Sequence, residues 1–381
     1  MATSWQRGIA ILTGIYVSRM LGLFMVFPVF SLYASELAGA NKTLVGVALG
    51  IYGLSQGLLQ LPCGWLSDRF GRKPVIAAGL LLFVAGSLLA AAATTITMMI
   101  AARAVQGMGA IAAVTLAYAT DITPGEKLGK VMAILGGSIG MAFVLSLIIG
   151  PLVAAWIGVA GLFYLIALIA GLALVASLRL PLVATRPQTA ATGHYDKRQL
   201  IQAAAAIFFL HGVFTATFLV LPPLLVDAGI AKANHWWLYL PANLVALCFM
   251  RVKATPHPLN FGISYLLLAI GTGLLAMPFG MWWLLFALSI YFIAFYRLET
   301  GLPHWVAHIA SPDARGRAMG LYSSAQFLGS FCGGAVAGRL WHDLPPATVL
   351  LPLVAACACV ALLLLKIGKT TTLRAATHSN S

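Results

Sequence analysis

The sequence predicts an all-α membrane protein of twelve transmembrane helices, arranged as two pseudo-symmetric halves of six. Three observations carry that prediction. First, 61% of the 381 residues are hydrophobic and only 8% charged, whereas a soluble domain carries roughly 45–50% apolar and 25% charged residues. Second, a spanning helix needs about 20 apolar residues, and breaking the chain at Gly, Pro and charge clusters leaves twelve apolar runs. Third, a short pattern recurs at half the chain length. The composition excludes a soluble enzyme, a nucleic-acid reader and a disordered chain. The formal net charge of +14 fits loops that collect Lys and Arg on the cytoplasmic side of a membrane, so no nucleic-acid partner is expected.

The spans fall near 8–34, 44–66, 74–93, 97–119, 130–156, 159–179, 199–225, 234–250, 259–278, 281–309, 316–340 and 347–367. The first runs from Gly8 to about Tyr33 without a small-residue cleavage site, so it is expected to stay as a span and not to be removed as a signal peptide. The second ends in the charged loop around Asp68 and Arg72, and Pro74 opens the third. The fourth holds Arg103 and closes before Asp121. The fifth ends in Gly150-Pro151, and the sixth closes at Arg179. The eighth is the shortest, cut by Arg251, Lys253, Pro256 and Pro258.

Residues 180–199 form the longest polar stretch, expected to be a cytoplasmic linker. It separates an N-terminal half, 1–179, from a C-terminal half, 200–370, with a short cytoplasmic tail at 371–381. Thr123-Pro124 and Lys130-Val131-Met132-Ala133 open the fifth span; Ser311-Pro312 and Arg317-Ala318-Met319-Gly320 open the eleventh, at offsets of 188 and 187. Repeats of this kind build a midplane site in many secondary transporters.

Orientation follows from the basic residues. With the N-terminus inside, 17 of the 23 Lys and Arg lie in inner segments and three (Lys42, Lys232, Arg339) outside, while Arg19, Arg103 and Arg297 fall within spans. Both termini are therefore expected in the cytoplasm. The five cysteines all lie in apolar stretches without metal-type pairing and are read as reduced packing residues.

After the second span the chain reads Gly64-Trp65-Leu66-Ser67-Asp68-Arg69-Phe70-Gly71-Arg72-Lys73-Pro74. Gly71 permits a sharp reversal, Gly64 allows a neighbouring backbone to approach closely, and Asp68 is an acid among bases at the membrane edge. This segment resembles the loop signature of the major facilitator superfamily. Arg103-Ala104-Val105-Gln106-Gly107 is similar to that family's intramembrane arginine motif. Gly150-Pro151 is similar to the motif of proton-coupled drug exporters, with Ser146, Ala154 and Ala155 where glycines are usual. With Arg19-Met20-Leu21-Gly22, Asp121 and Glu299, the chain resembles the twelve-span drug:proton antiporters, and among them the YajR-like branch. The resemblance implies a conformational latch: Asp68 against the helix start at Ser311-Pro312-Asp313, with Gly64, Arg72 and Asp121 completing it.

A charge within a span costs roughly 2.5–3.5 kcal/mol and faces a cavity or a partner. Glu299 is the one acid plainly inside a span; it is either the protonatable coupling group or half of a fixed ion pair. Arg297, two residues away, does not share its face. His211 either titrates near neutral pH as a second proton-coupling group or is a hydrogen-bonded structural histidine. Arg19, Gln56, Arg103, Gln106, Tyr296, Tyr322 and Gln326 are the candidate substrate-cavity residues, each also capable of plain interhelical packing. Three arginines against one glutamate favour neutral or anionic partners over lipophilic cations.

The expected function is that of a secondary active transporter in the bacterial inner membrane. Its expected mode is proton-coupled antiport, exporting small amphiphilic compounds or drugs by alternating access. A proton symporter or facilitator for a small, anionic metabolite is the alternative. No phosphate-cradling motif for an ATP-driven pump occurs, nor a zinc-helix or nucleophile-elbow motif for a membrane enzyme. The expected partners are a small-molecule substrate, protons and membrane lipids. No cofactor or metal is implied, and a monomer is expected.

Overall fold

In hydrocarbon every backbone N–H and C=O must find its partner inside the protein, and a helix does this within one segment. A computed structural model describes residues 4–181, 193–249, 257–277, 279–311 and 314–379, and among them the only extended pairing is two isolated bridges. The helices are α1 (Ser4–Phe24), α2 (Phe30–Ala34), α3 (Lys42–Phe70), α4 (Arg72–Ala91), α5 (Ile96–Met108), α6 (Ala112–Ile122), α7 (Leu128–Ser177), α8 (Lys197–Asp227), α9 (Trp236–Phe249), α10 (Pro258–Leu275), α11 (Met281–Ile309), α12 (Arg315–Asp343) and α13 (Pro346–Ser379). Among the described residues, nine helices are long and apolar enough to cross a membrane. The protein is an all-α integral membrane protein.

Four expected spans differ in detail. The first is broken by turns at 25–29 into α1 and α2. The fourth is interrupted between Gly109 and Ile111, where α5 gives way to α6. The fifth and sixth are not separated by a loop: α7 runs through both and changes direction at Gly158, whose φ of +73° is open to glycine and strained for other residues. The loop glycine behaves as its sequence suggests, with Gly71 at φ +94° linking α3 to α4. Helix α7 begins at Leu128 and α12 at Arg315, so the sequence repeat at an offset of 187 is also a repeat of helix starts. Most of the polar 180–199 segment, with Arg251, Lys253, Pro256, Pro312 and Asp313, lies outside the described residues.

Helices up to α7 pack chiefly among themselves, as do α8 to α13, and α3 with α12 forms the main contact between the two groups. Along that contact the glycines of α3 meet the backbone of α12. A methyl at Gly46 would lie 2.7 Å from Gly338 Cα, one at Gly50 2.9 Å from Phe331 Cα, and one at Gly57 3.2 Å from the Ser324 carbonyl oxygen. The pairing order makes the two helices antiparallel. Beyond Gly57 the helices part: Leu61 still reaches Gly320 with its side chain, but a methyl at Gly64 would meet nothing within 4 Å. The close approach expected at Gly64 is thus not made in this arrangement, because the seam ends two turns earlier.

The start of α1 and the close of α13 mark one end of the bundle, the terminal end, and the opposite one is the far end. One apolar cluster crosses between the two halves, joining Phe27, Phe30 and Phe143 to Phe214, Phe218 and Phe292. A second, of Ile9, Leu12, Ile15, Ile76, Leu80 and their neighbours, draws its members from the N-terminal helices alone. The halves are therefore fused toward the far end and separate toward the terminal end. At the far end Lys232 also reaches Glu36 across the divide at 3.2 Å.

Candidate functional site

Glu299 sits on α11, just terminal-ward of an aromatic row. Helical spacing stacks Phe292, Phe295 and Glu299 on neighbouring positions of one face. Its Oε2 lies 2.9 Å from Nε2 of His211 on α8, and its Oε1 accepts from Gln326 Nε2 of α12 at 3.3 Å. The same Gln326 nitrogen is 2.7 Å from His211 Nε2. Three helices thus bring a carboxylate, an imidazole and an amide to one point. Both contacts fall on the same ring nitrogen, so the tautomer decides between them: an Nε2 that carries hydrogen donates to Glu299, and a bare Nε2 accepts from Gln326. Glu299 keeps 30% of its side chain exposed while His211 is buried. Arg297 turns away, its Nε donating to Ser264 Oγ at 3.2 Å, as the two-residue spacing on a helix requires.

On the other side of the gap, Arg19 of α1 donates from Nη2 to the Tyr52 hydroxyl at 2.9 Å and to Gln56 Oε1 at 3.1 Å, and lies 5.2 Å over the Phe83 ring. Its Nε and Nη1 are buried without a partner. Tyr16, one turn earlier on α1, is within electrostatic range of both Arg19 and Glu299, and Tyr322 of α12 is within range of Glu299. The structure therefore forms two groups, Arg19 with Tyr52 and Gln56 in the N-terminal half and Glu299 with His211 and Gln326 in the C-terminal half.

It does not bring Arg103 to them. Arg103 has no exposure at all; it bonds Gln106, which donates to Ser87 Oγ at 2.8 Å, and it is roofed by Tyr52 at 4.9 Å and Phe30 at 5.9 Å. The cavity position expected for Arg103 and Gln106 is corrected to an enclosed one within the N-terminal half, because Tyr52 occupies the space between them and the gap. Tyr296 is likewise turned aside, donating to Asn243 Oδ1 of α9 at 2.6 Å.

The expected latch residues meet in part. Arg72 bonds Asp68, Asp121 Oδ2 at 3.1 Å and Ser67 Oγ at 2.6 Å, which ties the ends of α3, α4 and α6. The α12 start that Asp68 was expected to face includes Pro312 and Asp313, outside the described residues.

Sequence reasoning missed the roof of the site. Phe143 of α7 packs against Phe24, Phe214, Phe295 and Tyr296, at centroid separations of 4.9, 5.7, 5.8 and 5.9 Å, and Phe27 lies 5.1 Å from Phe214. These rings close the gap on the far side of Glu299 and Arg19. Phenylalanines are too common in spans to mark a gate by themselves; only their meeting across two halves does so. Of the cysteines read as packing residues, Cys357 is buried while Cys248 and Cys359 are exposed, and all five are free thiols.

The family model of the Major Facilitator Superfamily matches residues 12–331. The inner membrane transport protein YajR of Escherichia coli (strain K12) is 36% identical over 340 residues, covering 85% of this chain and 75% of that protein. The multidrug resistance protein MdtH of Aeromonas hydrophila is 25% identical over 345 residues, 85% of each. Among solved structures, the human organic anion transporter MFSD10 superposes with a TM-score of 0.71 at 17% identity, covering 95% of this chain and 100% of that one, a likeness of fold alone. A transporter architecture, a gap between two helical halves and a match along most of the chain agree: this protein belongs to the major facilitator superfamily of membrane transporters.

Proposed function

We propose that the protein is a proton-coupled antiporter that exports small amphiphilic compounds by alternating access. The observation that carries this reading is the Glu299–His211–Gln326 cluster, a partly exposed carboxylate held by an imidazole and an amide next to the rings of Phe214 and Phe295. A proton drives a conformational cycle only where its affinity differs between the two orientations, and a carboxylate on α11 held by side chains of α8 and α12 is placed to change partners as the halves rock. The names of YajR and MdtH, an inner membrane transporter and a multidrug resistance protein, support export from a bacterial inner membrane.

In this reading α7 crosses twice and α9 and α12 once each, giving twelve spans. Residues 1–179 and 200–370 move as two bodies, and both termini face the cytoplasm. The gap is then the cytoplasmic entrance, and Asp68, Arg72 and Asp121 form the gate that shuts it. The test uses inside-out vesicles carrying a proton gradient and a pH-sensitive dye, challenged in turn with cationic, neutral and anionic amphiphiles. Wild type releases protons on substrate addition and Glu299→Gln does not. If the variant releases protons as wild type does, Glu299 is not the coupling group.

One observation favours a second mode, symport or facilitated passage of an anionic metabolite: the buried guanidinium of Arg19 has no carboxylate partner among the described residues. In that mode metabolite flux persists while no proton is released by exchange.

A further inference from the structure

A groove on the outer side of a membrane bundle is filled by what the bilayer supplies, and its lining selects the occupant. Helix α1 and the closing arm of α7 run antiparallel: a methyl at Gly8 would lie 3.6 Å from Pro181, just after α7, and one at Gly22 2.8 Å from Ile166. Between these two contacts lies a groove of about 450 Å³, whose lining includes Ala10, Ile11, Gly14 and Ser18 of α1 and Leu172 and Ala176 of α7. Leu172 is 63% exposed, and a methyl at Gly14 would meet nothing within 4 Å, so the groove opens outward. Helical spacing turns Ala10 to the opposite side of α1 from Arg19, which separates the groove from the gap between the halves. Its one polar side chain, Ser18, already donates to the Ile15 carbonyl at 2.8 Å. The lining therefore offers an occupant apolar contact alone.

The terminal end of the groove is cationic. Arg7, Ile11, Gly14 and Ser18 share one face of α1, and Leu172, Ala176 and Arg179 follow one another along α7 and the turn that extends it. Lys73 of α4 completes the set: its Nζ donates to the carbonyls of Leu178 and Leu180 at 2.6 and 3.1 Å, on either side of Arg179. Arg7 and Arg179 are exposed and have no partner among the described residues. Asp121, beside the Ile122 that faces Gly8, is held by Arg72 at 3.1 Å. Trp5, half-buried two residues before Arg7, marks the headgroup level, where indole rings collect. From Ala10 to Ser18 the groove is about 12 Å long, close to the roughly 15 Å of hydrocarbon in one leaflet.

We propose that this groove is a binding site for an anionic phospholipid, with one acyl chain lying between α1 and α7 and the phosphate among Arg7, Lys73 and Arg179. Guanidinium groups donate to phosphate oxygens in pairs, and basic clusters between spans at the membrane edge hold anionic headgroups. A zwitterionic lipid fills the groove equally well but brings an ammonium to the same cations. The lipid belongs to the N-terminal half alone, and the assignment holds for any direction or coupling of transport.

The test is native mass spectrometry of the full chain in detergent, which counts bound lipids singly, with dioleoylphosphatidylglycerol and dioleoylphosphatidylcholine. The two share their acyl chains. Wild type is expected to take up its first phosphatidylglycerol at least fivefold more tightly than its first phosphatidylcholine. Arg7→Gln with Arg179→Gln brings the two lipids within about twofold. Lys197→Gln with Lys366→Gln, which removes the same charge from exposed positions in the C-terminal half, leaves the preference unchanged. Gly14→Leu fills the groove from a point where a methyl meets nothing and weakens the first phosphatidylglycerol severalfold. Equal first binding of the two lipids by wild type overturns the site. So does an equal loss in the two double variants, the mark of a general attraction to a chain of net charge +14. Unchanged binding by Gly14→Leu, or displacement of the lipid by equimolar glycerol 3-phosphate, shows that no acyl chain lies in the groove and overturns the site as well. A dimer in the spectrum that Gly14→Leu abolishes assigns the groove to a second copy of the chain instead.

Discussion

Arg19 and Arg103 are chemically alike, both within spans and both with two buried nitrogens lacking acceptors, yet only one reaches the gap. The difference is Tyr52, whose hydroxyl accepts from Arg19 and whose ring face covers Arg103. A single α3 side chain thus sorts two cations into a facing one and a walled one, and nothing in the local sequence of either arginine says which is which. A stacked guanidinium is not replaced by an ammonium. Arg103→Lys should therefore lower Tm in detergent by several degrees, as thermal unfolding of variant and wild type will show.

Glu299 was legible because an acid in a span is costly; its pairing with His211 from 88 positions away was not. Outside the bundle, Asp196 caps α8 by accepting from the Gln199 backbone and side chain at 3.0 and 2.8 Å, and these bonds hold its carboxyl below the ordinary carboxylate range. Its contribution is then present at neutral pH and lost as the pH falls below about 4 and the carboxylate protonates. Asp196→Ala should cost about 1 kcal/mol at pH 7, and the gap between variant and wild type should narrow in acid.

Whole helices show which signals survive translation into structure. The charged loop after α3 predicted its turn correctly because Gly71 has only one plausible duty there, and φ +94° is that duty. Gly71→Ala should destabilise by roughly 1 kcal/mol or more for the left-handed backbone alone, read as a lower Tm with the fold intact. The break between α7's two arms was placed correctly but expected as a loop, since a glycine in an apolar run marks the interruption without saying how the chain crosses it.

The α3–α12 seam was the least legible element. Gly46, Gly50, Gly53 and Gly57 look like ordinary span glycines until α12 is laid against them. Small residues matter there because lipid tails offer helices no hydrophobic drive to associate, leaving close packing to do so. Gly50→Val adds three carbons where the Phe331 backbone already sits, at an overpacking cost of about 1–3 kcal/mol. It should shift the protein toward separation of the far end. A fluorophore pair straddling Glu36 and Lys232 will lengthen its mean distance if so, and an unchanged distance would show that the seam yields locally.

At the scale of the molecule, composition and charge placement were sufficient for the fold class, because a chain this apolar has few ways to satisfy its backbone. They were insufficient for the state of the bundle, since the sequence encodes both orientations of a transporter and a structure displays one. The division of apolar packing, shared at the far end and private to the N-terminal helices at the terminal end, is a property of the arrangement and of no single segment.

That division has a kinetic consequence. The seam from Gly46 to Gly57 is held by short-range contact between rigid rods, and dispersion forces of this kind vanish over an ångström or so. Such a joint does not stretch; it holds or it lets go. Half-open seams would forfeit the contact energy without gaining the freedom of the parted state, so they should be sparsely visited. Single-molecule traces across the far end are therefore expected to jump between two levels with exponentially distributed dwell times. Ligands should change how long each level lasts and leave the levels where they are.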